Sequence, residues 1–210
     1  MPGTPYLDPY RRAFDHFGSD FEVTLWASRD TQCHRFDVMS RMLDLGGLRV
    51  LDAGCSRGDF AAFMLESGIE YESYVGIDGL QDVIDYAASR RDLPRASFQC
   101  GDILQNDALL RVGDPHVICI SGTLNTMTMR QVLGLLDSAW STATEALMFN
   151  FLSDLATRRA APQTGPARRH SAARLLQWAT KQTGLVQYRQ DYLRYGHDAT
   201  ILMRKDPSST

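Results

Sequence analysis

The chain has 210 residues, 44% of them hydrophobic and 22% charged, the proportions of one ordinary globular domain that folds without staples. Lys and Arg number 22 against 25 Asp and Glu, a formal net charge of −3. That balance disfavours a broadly basic nucleic-acid binder, although a local basic patch fits within it. Cys33, Cys55, Cys100 and Cys119 form no C-x-x-C pair, so a zinc site or a thioredoxin motif has no support and no metal is expected. They read as reduced thiols in a cytoplasmic protein. The first ten residues lack the basic and apolar regions of a signal peptide. The longest apolar runs, 117–120 and 146–149, fall far short of the ~20 residues of a membrane span, so no membrane partner is expected.

Residues 1–46 read as an N-terminal helical cap. Tyr10, Phe14 and Phe17 give residues 8–17 an amphipathic pattern, and Phe36, Met39 and Leu43 give a second helix over 28–45, stopped by Gly46-Gly47. From residue 47 to 205 short apolar runs alternate with helical patterns. Strands are predicted at 48–53, 74–77, 96–100, 117–121 and 146–152, and helices at 59–67, 81–89 and 128–143. This alternation is the mark of an open parallel sheet with helices on both faces. A polar, Arg-rich loop fills 154–170. A helix at 171–183 follows, with Ser171 as N-cap and Gly184 as stop. Strand-like stretches at 186–193 and 199–204, joined through Tyr195-Gly196-His197-Asp198, suggest an antiparallel hairpin. Residues 206–210 read as a frayed tail.

The informative segment is Val50-Leu51-Asp52-Ala53-Gly54-Cys55-Ser56-Arg57-Gly58-Asp59-Phe60. A buried strand delivers Asp52 to its carboxyl end, and a turn of small residues opens a helix. In an open α/β sheet ligands bind outside the carboxyl ends of the strands. A dinucleotide would need G-x-G-x-x-G, which Gly54-x-Ser56-x-Gly58 does not match. An acid two residues before the first glycine suits a cationic amino group better than a pyrophosphate. The D-x-G-C-x-x-G pattern resembles motif I of the class I S-adenosylmethionine-dependent methyltransferases.

The resemblance implies a Rossmann-like methyltransferase fold: a mostly parallel seven-stranded α/β sheet ending in an antiparallel hairpin, with an N-terminal helical cap. It implies S-adenosyl-L-methionine as cofactor. Asp52, Gly54, Cys55 and Gly58 would then hold its methionine part. Asp78, followed by Gly79 and 20 residues past Gly58, has the spacing of a ribose-binding acid. Gly101-Asp102 resembles the family's adenine site, with Ile103 and Leu80 sandwiching the ring, and Ser121 ends the fourth strand beside it. Each acid alone reads as a helix cap or turn residue; three at successive strand ends read jointly as a cofactor site. Ser56 replaces the family's usual middle glycine, and the bulky Arg57 is expected to point outward.

Methyl transfer needs an acceptor in line with the departing sulfur, and a base only if the acceptor must lose a proton. The stretch Ser121-Gly122-Thr123-Leu124-Asn125 lacks D/N-P-P-Y, and no Pro-Cys pair is present, so the two most legible nucleic-acid subclasses are disfavoured. Cys119 reads as a core thiol. Asn125 and Asn150 are candidate acceptor contacts. Residues 154–170 carry Arg158, Arg159, Arg168, Arg169 and His170. They form either a solvated loop or a lid that grips an anionic acceptor through Arg forks, with His170 as general base. Arg35 pairs either with the cofactor's carboxylate or with a surface acid. Tyr6, Tyr10 and Trp26 either line the acceptor pocket or pack as ordinary helix residues. The expected activity is methyl transfer to a small-molecule acceptor. The alternatives are an RNA or tRNA methyltransferase using the loop, and a non-catalytic S-adenosylmethionine-binding module.

Overall fold

The computed structural model describes residues 5–160 and 162–206. Seven strands form one sheet: β1 Arg49–Ala53, β2 Ser73–Asp78, β3 Ala96–Cys100, β4 Val117–Ile120, β5 Ala146–Leu152, β6 Val186–Arg189 and β7 Asp198–Arg204. Their spatial order is β3-β2-β1-β4-β5-β7-β6. Strands β1 to β5 pair in parallel, and β7 runs antiparallel between β5 and β6. The chain winds outward from β1 through β2 to β3, then returns to β4 on the other side of β1. The crevice at this reversal, between the carboxyl ends of β1 and β4, is where such sheets bind ligands.

Six α-helices accompany the sheet: α1 Asp8–Phe17, α2 Arg29–Met42, α3 Asp59–Glu66, α4 Gln81–Ser89, α5 Met129–Thr142 and α6 Ala172–Gln182. Their starts follow local chemistry. The Ser28 side chain accepts from the Thr31 N–H, Thr128 and Gln131 form a capping box, and Ser171 caps α6. Two elements are shorter than the sequence suggests. Helix α2 stops at Met42, not residue 45, because the chain turns extended at Leu43 and carries Leu45 into full burial. Strand β6 stops at Arg189, not residue 193. The Gln190 amide donates to the Gly196 carbonyl at 2.8 Å and its oxygen accepts from Ser153 Oγ at 2.8 Å, so the two strands are joined by a broad loop over 190–197. Of the expected frayed tail, 207–210 lie outside the described residues.

Alternate residues of each central strand face opposite sides. Leu51, Ile118, Leu147 and Phe149 pack against α5 and α6, whereas Val50, Cys119 and Met148 pack against Phe36 and Met39 of α2 and Phe60 and Met64 of α3. Burial on both faces explains why these strands read as continuous apolar runs. All four cysteines are free; Cys55 and Cys119 are buried and Cys33 is exposed. Among the described residues no helix is long and apolar enough to cross a membrane, and no group of three or more His, Cys, Asp or Glu is placed to hold a metal.

Candidate functional site

The loop leaving β1 is tied to its neighbours through the backbone. The N–H groups of Gly54 and Cys55 both donate to the Ile77 carbonyl, at 2.7 and 3.0 Å. Gly54 has φ +92°, and a Cβ there would lie 1.9 Å from Thr123 Oγ1, which itself donates to the Ala53 carbonyl at 3.1 Å. Only glycine meets both demands. The Cys55 thiol turns toward Gly76, away from the crevice, and Gly58 opens α3 against Phe98. Both therefore shape the loop without lining the cleft.

Three carboxylates converge here in different states. Asp78 accepts from the Ser56 N–H at 3.0 Å through Oδ2 and from the Leu80 N–H at 3.1 Å through Oδ1, and it faces the cleft. Burial raises its pKa, and the backbone donors pull it back. Asp102 accepts through Oδ1 from the Tyr6 hydroxyl at 2.7 Å and the Leu104 N–H at 2.9 Å; its buried Oδ2 has no partner among the described residues. Asp52 lies beneath the loop, 3% exposed, accepting through Oδ2 from the Tyr74 hydroxyl at 2.5 Å. Its Oδ1 is likewise buried and unpartnered, and burial pushes its pKa up to about 7 against the pull of Tyr74. Buried polar atoms in native proteins are nearly always satisfied. Asp52 Oδ1 and Asp102 Oδ2 are two of six such orphaned side-chain atoms among the described residues, and these two sit one or two residues from Gly54, Gly101 and Ile103, which line the cleft.

The floor and walls of the cleft include Gly54, Asp78, Gly79 and Leu80, with Gly101, Ile103 and Ser121 completing them. Its roof is the segment before α2: Tyr6, Leu7, Tyr10 and Trp26. Leu7 sits so close to Gly79 that a Cβ there would be 2.5 Å from Leu7 Cδ1. The roof is drawn down, leaving a cavity of about 50 Å³. Tyr6 thus belongs to this cleft, with its hydroxyl on Asp102, and does not line the neighbouring cavity.

That second cavity, about 400 Å³, shares Tyr10, Thr24, Trp26 and Gly122 with the first. Asn125, Leu152, the turn 163–167 and His197 form its far side. Asn125 Oδ1 accepts from the Leu152 N–H at 2.9 Å, fixing the ends of β4 and β5 together.

Several residues take other places than the sequence suggests. Arg35 is not free for a ligand carboxylate. Its Nε and Nη2 donate to Asp198 Oδ1 and Oδ2 at 2.7 and 2.5 Å, Nη1 donates to the Thr31 carbonyl at 2.8 Å, and the guanidinium lies 4.2 Å from the Trp26 ring centre. A guanidinium only 5% exposed needs a counterion, and β7 supplies it. His170 is buried, its Nε2 donating to the Leu124 carbonyl at 2.9 Å, with its pKa lowered by burial. It staples the loop and faces neither cavity, so it is not positioned as the base. Asn150 is fully buried: its Oδ1 accepts from the Gly122 N–H at 2.8 Å and its Nδ2 donates to Ser121 Oγ at 2.9 Å. It orders the end of β4 from behind. Arg158 and Arg168 are exposed and line neither cavity, while Arg169 donates to the Ser153 and His197 carbonyls at 2.9 and 3.3 Å. The loop's contribution to the cavity is its neutral turn. Arg57 does not point outward: it is 7% exposed, folded against the Tyr86 ring and donating to that hydroxyl at 3.2 Å.

His197 was not picked out from the sequence. Its Nε2 lies 3.1 Å from Asp198 Oδ2, and a third of its side chain is exposed. The only signal was a His-Asp pair at a strand start, which has no meaning until the hairpin is placed.

No protein-family model matches the chain, and no curated protein matches it in sequence. Solved structures match in fold. Magnesium protoporphyrin IX methyltransferase from Synechocystis PCC 6803, solved with bound S-adenosylmethionine, aligns with a TM-score of 0.71 and 15% identity, over 98% of this chain and 100% of that one. A methyltransferase from Archaeoglobus fulgidus described as S-adenosylmethionine-dependent gives 0.64 and 16%, over 88% and 98%. Phosphoethanolamine N-methyltransferase 1 from Haemonchus contortus gives 0.70 and 12%, over 99% of this chain and 51% of that one. The strand order and terminal hairpin are those of the Rossmann-like methyltransferase fold, and this chain has that fold.

Proposed function

We propose that the protein is an S-adenosyl-L-methionine-dependent methyltransferase acting on a small-molecule acceptor in the cytoplasm. The observation that carries this reading is a cleft into which Asp78 projects, with the orphaned, buried oxygens Asp52 Oδ1 and Asp102 Oδ2 on residues one or two places in sequence from its lining at Gly54, Gly101 and Ile103. The cofactor offers matching donors: an ammonium group for Asp52, ribose hydroxyls for the remaining lone pairs of Asp78, and an adenine amino group for Asp102. When bound, it supplies an electrophilic methyl on a sulfonium leaving group. The chain's own residues bind, orient and enclose. Leu80 and Ile103 give apolar surface for a ring, and the Tyr6, Leu7 and Tyr10 roof excludes water. Gly122 lets Trp26 approach so closely that a Cβ there would be 2.6 Å from the indole, which keeps the wall between the two cavities thin.

The acceptor is assigned to the second cavity because that cavity adjoins the first. Its neutral loop wall favours a small uncharged molecule over a phosphate backbone or an anion gripped by arginines. Calorimetry with S-adenosylhomocysteine tests the reading. The protein is expected to bind it, and Asp78→Ala to abolish binding while the fold, read by circular dichroism, persists. Absence of binding by the unaltered protein refutes it.

A further inference from the structure

We propose that the second cavity takes a neutral, flat molecule that presents a carbonyl oxygen, and that the Thr126 hydroxyl is the specificity-determining donor to that oxygen. The proposal rests on the methyltransferase reading only in calling this molecule the acceptor. The hydroxyl that carries it lines the second cavity and not the cofactor cleft.

Thr126 ends the short helical turn Thr123–Thr126 that follows β4. It is 8% exposed, and its Oγ1 is buried with no hydrogen-bond partner among the described residues. A hydroxyl left in that state costs stability, which a ligand facing it recovers. The group lies near the Tyr10 hydroxyl and favours that group's charged form, yet no hydrogen bond joins the two. Burial outweighs this influence and holds the Tyr10 pKa up at about 12, so Tyr10 keeps its proton near neutrality. Two neighbouring hydroxyls on the cavity wall thus have protons to give, and a carbonyl oxygen, with two lone pairs, can accept from both.

The residues around Thr126 offer donors and withhold acceptors. Asn125 Oδ1 is taken by the Leu152 N–H at 2.9 Å, so its amide has only Nδ2 donors left for a ligand. The carbonyls of Gly122, Asn125 and Leu152 already accept from the N–H groups of Asn125, Arg168 and His170, at 3.2, 2.7 and 2.7 Å. Charge narrows the class further. No Asp or Glu lines the cavity among the described residues, so an ammonium group finds no counterion there. Arg35, its one arginine among those residues, is bound to Asp198 through Nε and Nη2 and to the Thr31 carbonyl through Nη1, so a carboxylate finds no free guanidinium fork. A neutral oxygen acceptor remains. The rings of Tyr10 and Trp26, with Leu152, supply apolar surface for a flat body. Thr126 holds and orients the molecule and takes no proton from it.

The probes are 2-acetylnaphthalene and 2-ethylnaphthalene, which match in shape and differ by the carbonyl. Both are titrated into the full-length protein, with and without S-adenosylhomocysteine, and the ketone's carbonyl stretch is read by infrared difference spectroscopy. In the unaltered protein the bound ketone should show a stretch at lower frequency than in dry hydrocarbon solvent. Thr126→Val should bind the ketone about tenfold more weakly and lose that shift, while its affinities for 2-ethylnaphthalene and S-adenosylhomocysteine stay within about twofold. Thr126→Ser should restore both the affinity and the shift. The valine variant should melt no lower than the unaltered protein, since the hydroxyl it removes has no partner. 2-Naphthoate, a flat anion, should not compete. The proposal is overturned by an unshifted stretch in the unaltered protein, failure of the ketone to bind, equal loss of both probes in Thr126→Val, a lower melting point of that variant, or effective competition by 2-naphthoate. Failure of the unaltered protein to bind S-adenosylhomocysteine is a separate outcome that sinks the methyltransferase reading. The titrations on unloaded protein then still decide the role of Thr126.

Discussion

Asp52→Asn separates what the cofactor site needs from what the fold needs. Asp52 has one donor, the Tyr74 hydroxyl at 2.5 Å, for two carboxylate oxygens, and lies 3% exposed beneath the first loop. Burial, offset by Tyr74 and reinforced by the Asp78 charge, moves its pKa from 3.8 to about 7. Between those values the folded chain keeps a proton that the unfolded chain has lost. Stability therefore falls as pH rises from about 4 to about 7 and is level above that. The gap corresponds to at most ~4 kcal/mol, and relaxation of the site brings a working figure nearer ~2 kcal/mol. Asparagine keeps an oxygen for Tyr74 and cannot ionise. At pH 8 the variant should melt about 4–8 °C higher than the unaltered protein, the difference vanishing near pH 4. The same change removes the partner of a cationic amino group, so affinity for S-adenosylhomocysteine should fall about 10–100-fold. Thermal melts across pH and calorimetry at pH 8 measure both. Calorimetry at pH 6 in buffers of different ionisation enthalpy should also show a proton released on binding by the unaltered protein and none by the variant. A variant that melts lower at pH 8, or binds with unchanged affinity, refutes the assignment of a raised pKa and a ligand-directed carboxylate.

Two further substitutions probe the cover and the loop. Tyr6→Phe removes the 2.7 Å bond that holds the roof on Asp102. In stopped-flow measurements S-adenosylhomocysteine should both enter and leave faster, with a melting point about 2–6 °C lower; unchanged rates would show that this bond does not hold the cover. His170→Leu removes the 2.9 Å bond from His170 Nε2 to the Leu124 carbonyl, which keeps only the Met127 N–H at 3.0 Å. Denaturant unfolding should show a loss of about 0.5–1.5 kcal/mol, while binding of S-adenosylhomocysteine to the folded fraction stays unchanged. Loss of S-adenosylhomocysteine binding with full stability would return His170 to the ligand site.

The cofactor side of the molecule was legible because its information is local. Helix α4, β3 and β5 fall where the residue pattern puts them: β5 is buried along nearly its whole length, and β3, at the sheet edge, alternates half-buried and exposed residues. Asp78, Gly101 and Ile103 are at the cleft because a strand end fixes the residues that follow it. The acceptor side was not legible, for a physical reason. A buried charge goes where a counterion can be brought to it, and the partner of Arg35 lies 163 residues away, on a strand placed only when the sheet closes. Arg57 is drawn inward for the same reason, by Tyr86 and Asp59.

This difference says where specificity resides. The loop arginines were the conspicuous charges, yet Arg158 and Arg168 stay in water, and exposed arginines contribute little unless a partner removes them from solvent. The charges that matter to the second cavity are those withdrawn from it. By pairing with each other, Arg35 and Asp198 leave the cavity without a free charge from either of them. Changing Asp198 would therefore unbalance Arg35 and His197 together, so the acceptor choice is a property of the pair and not of either residue.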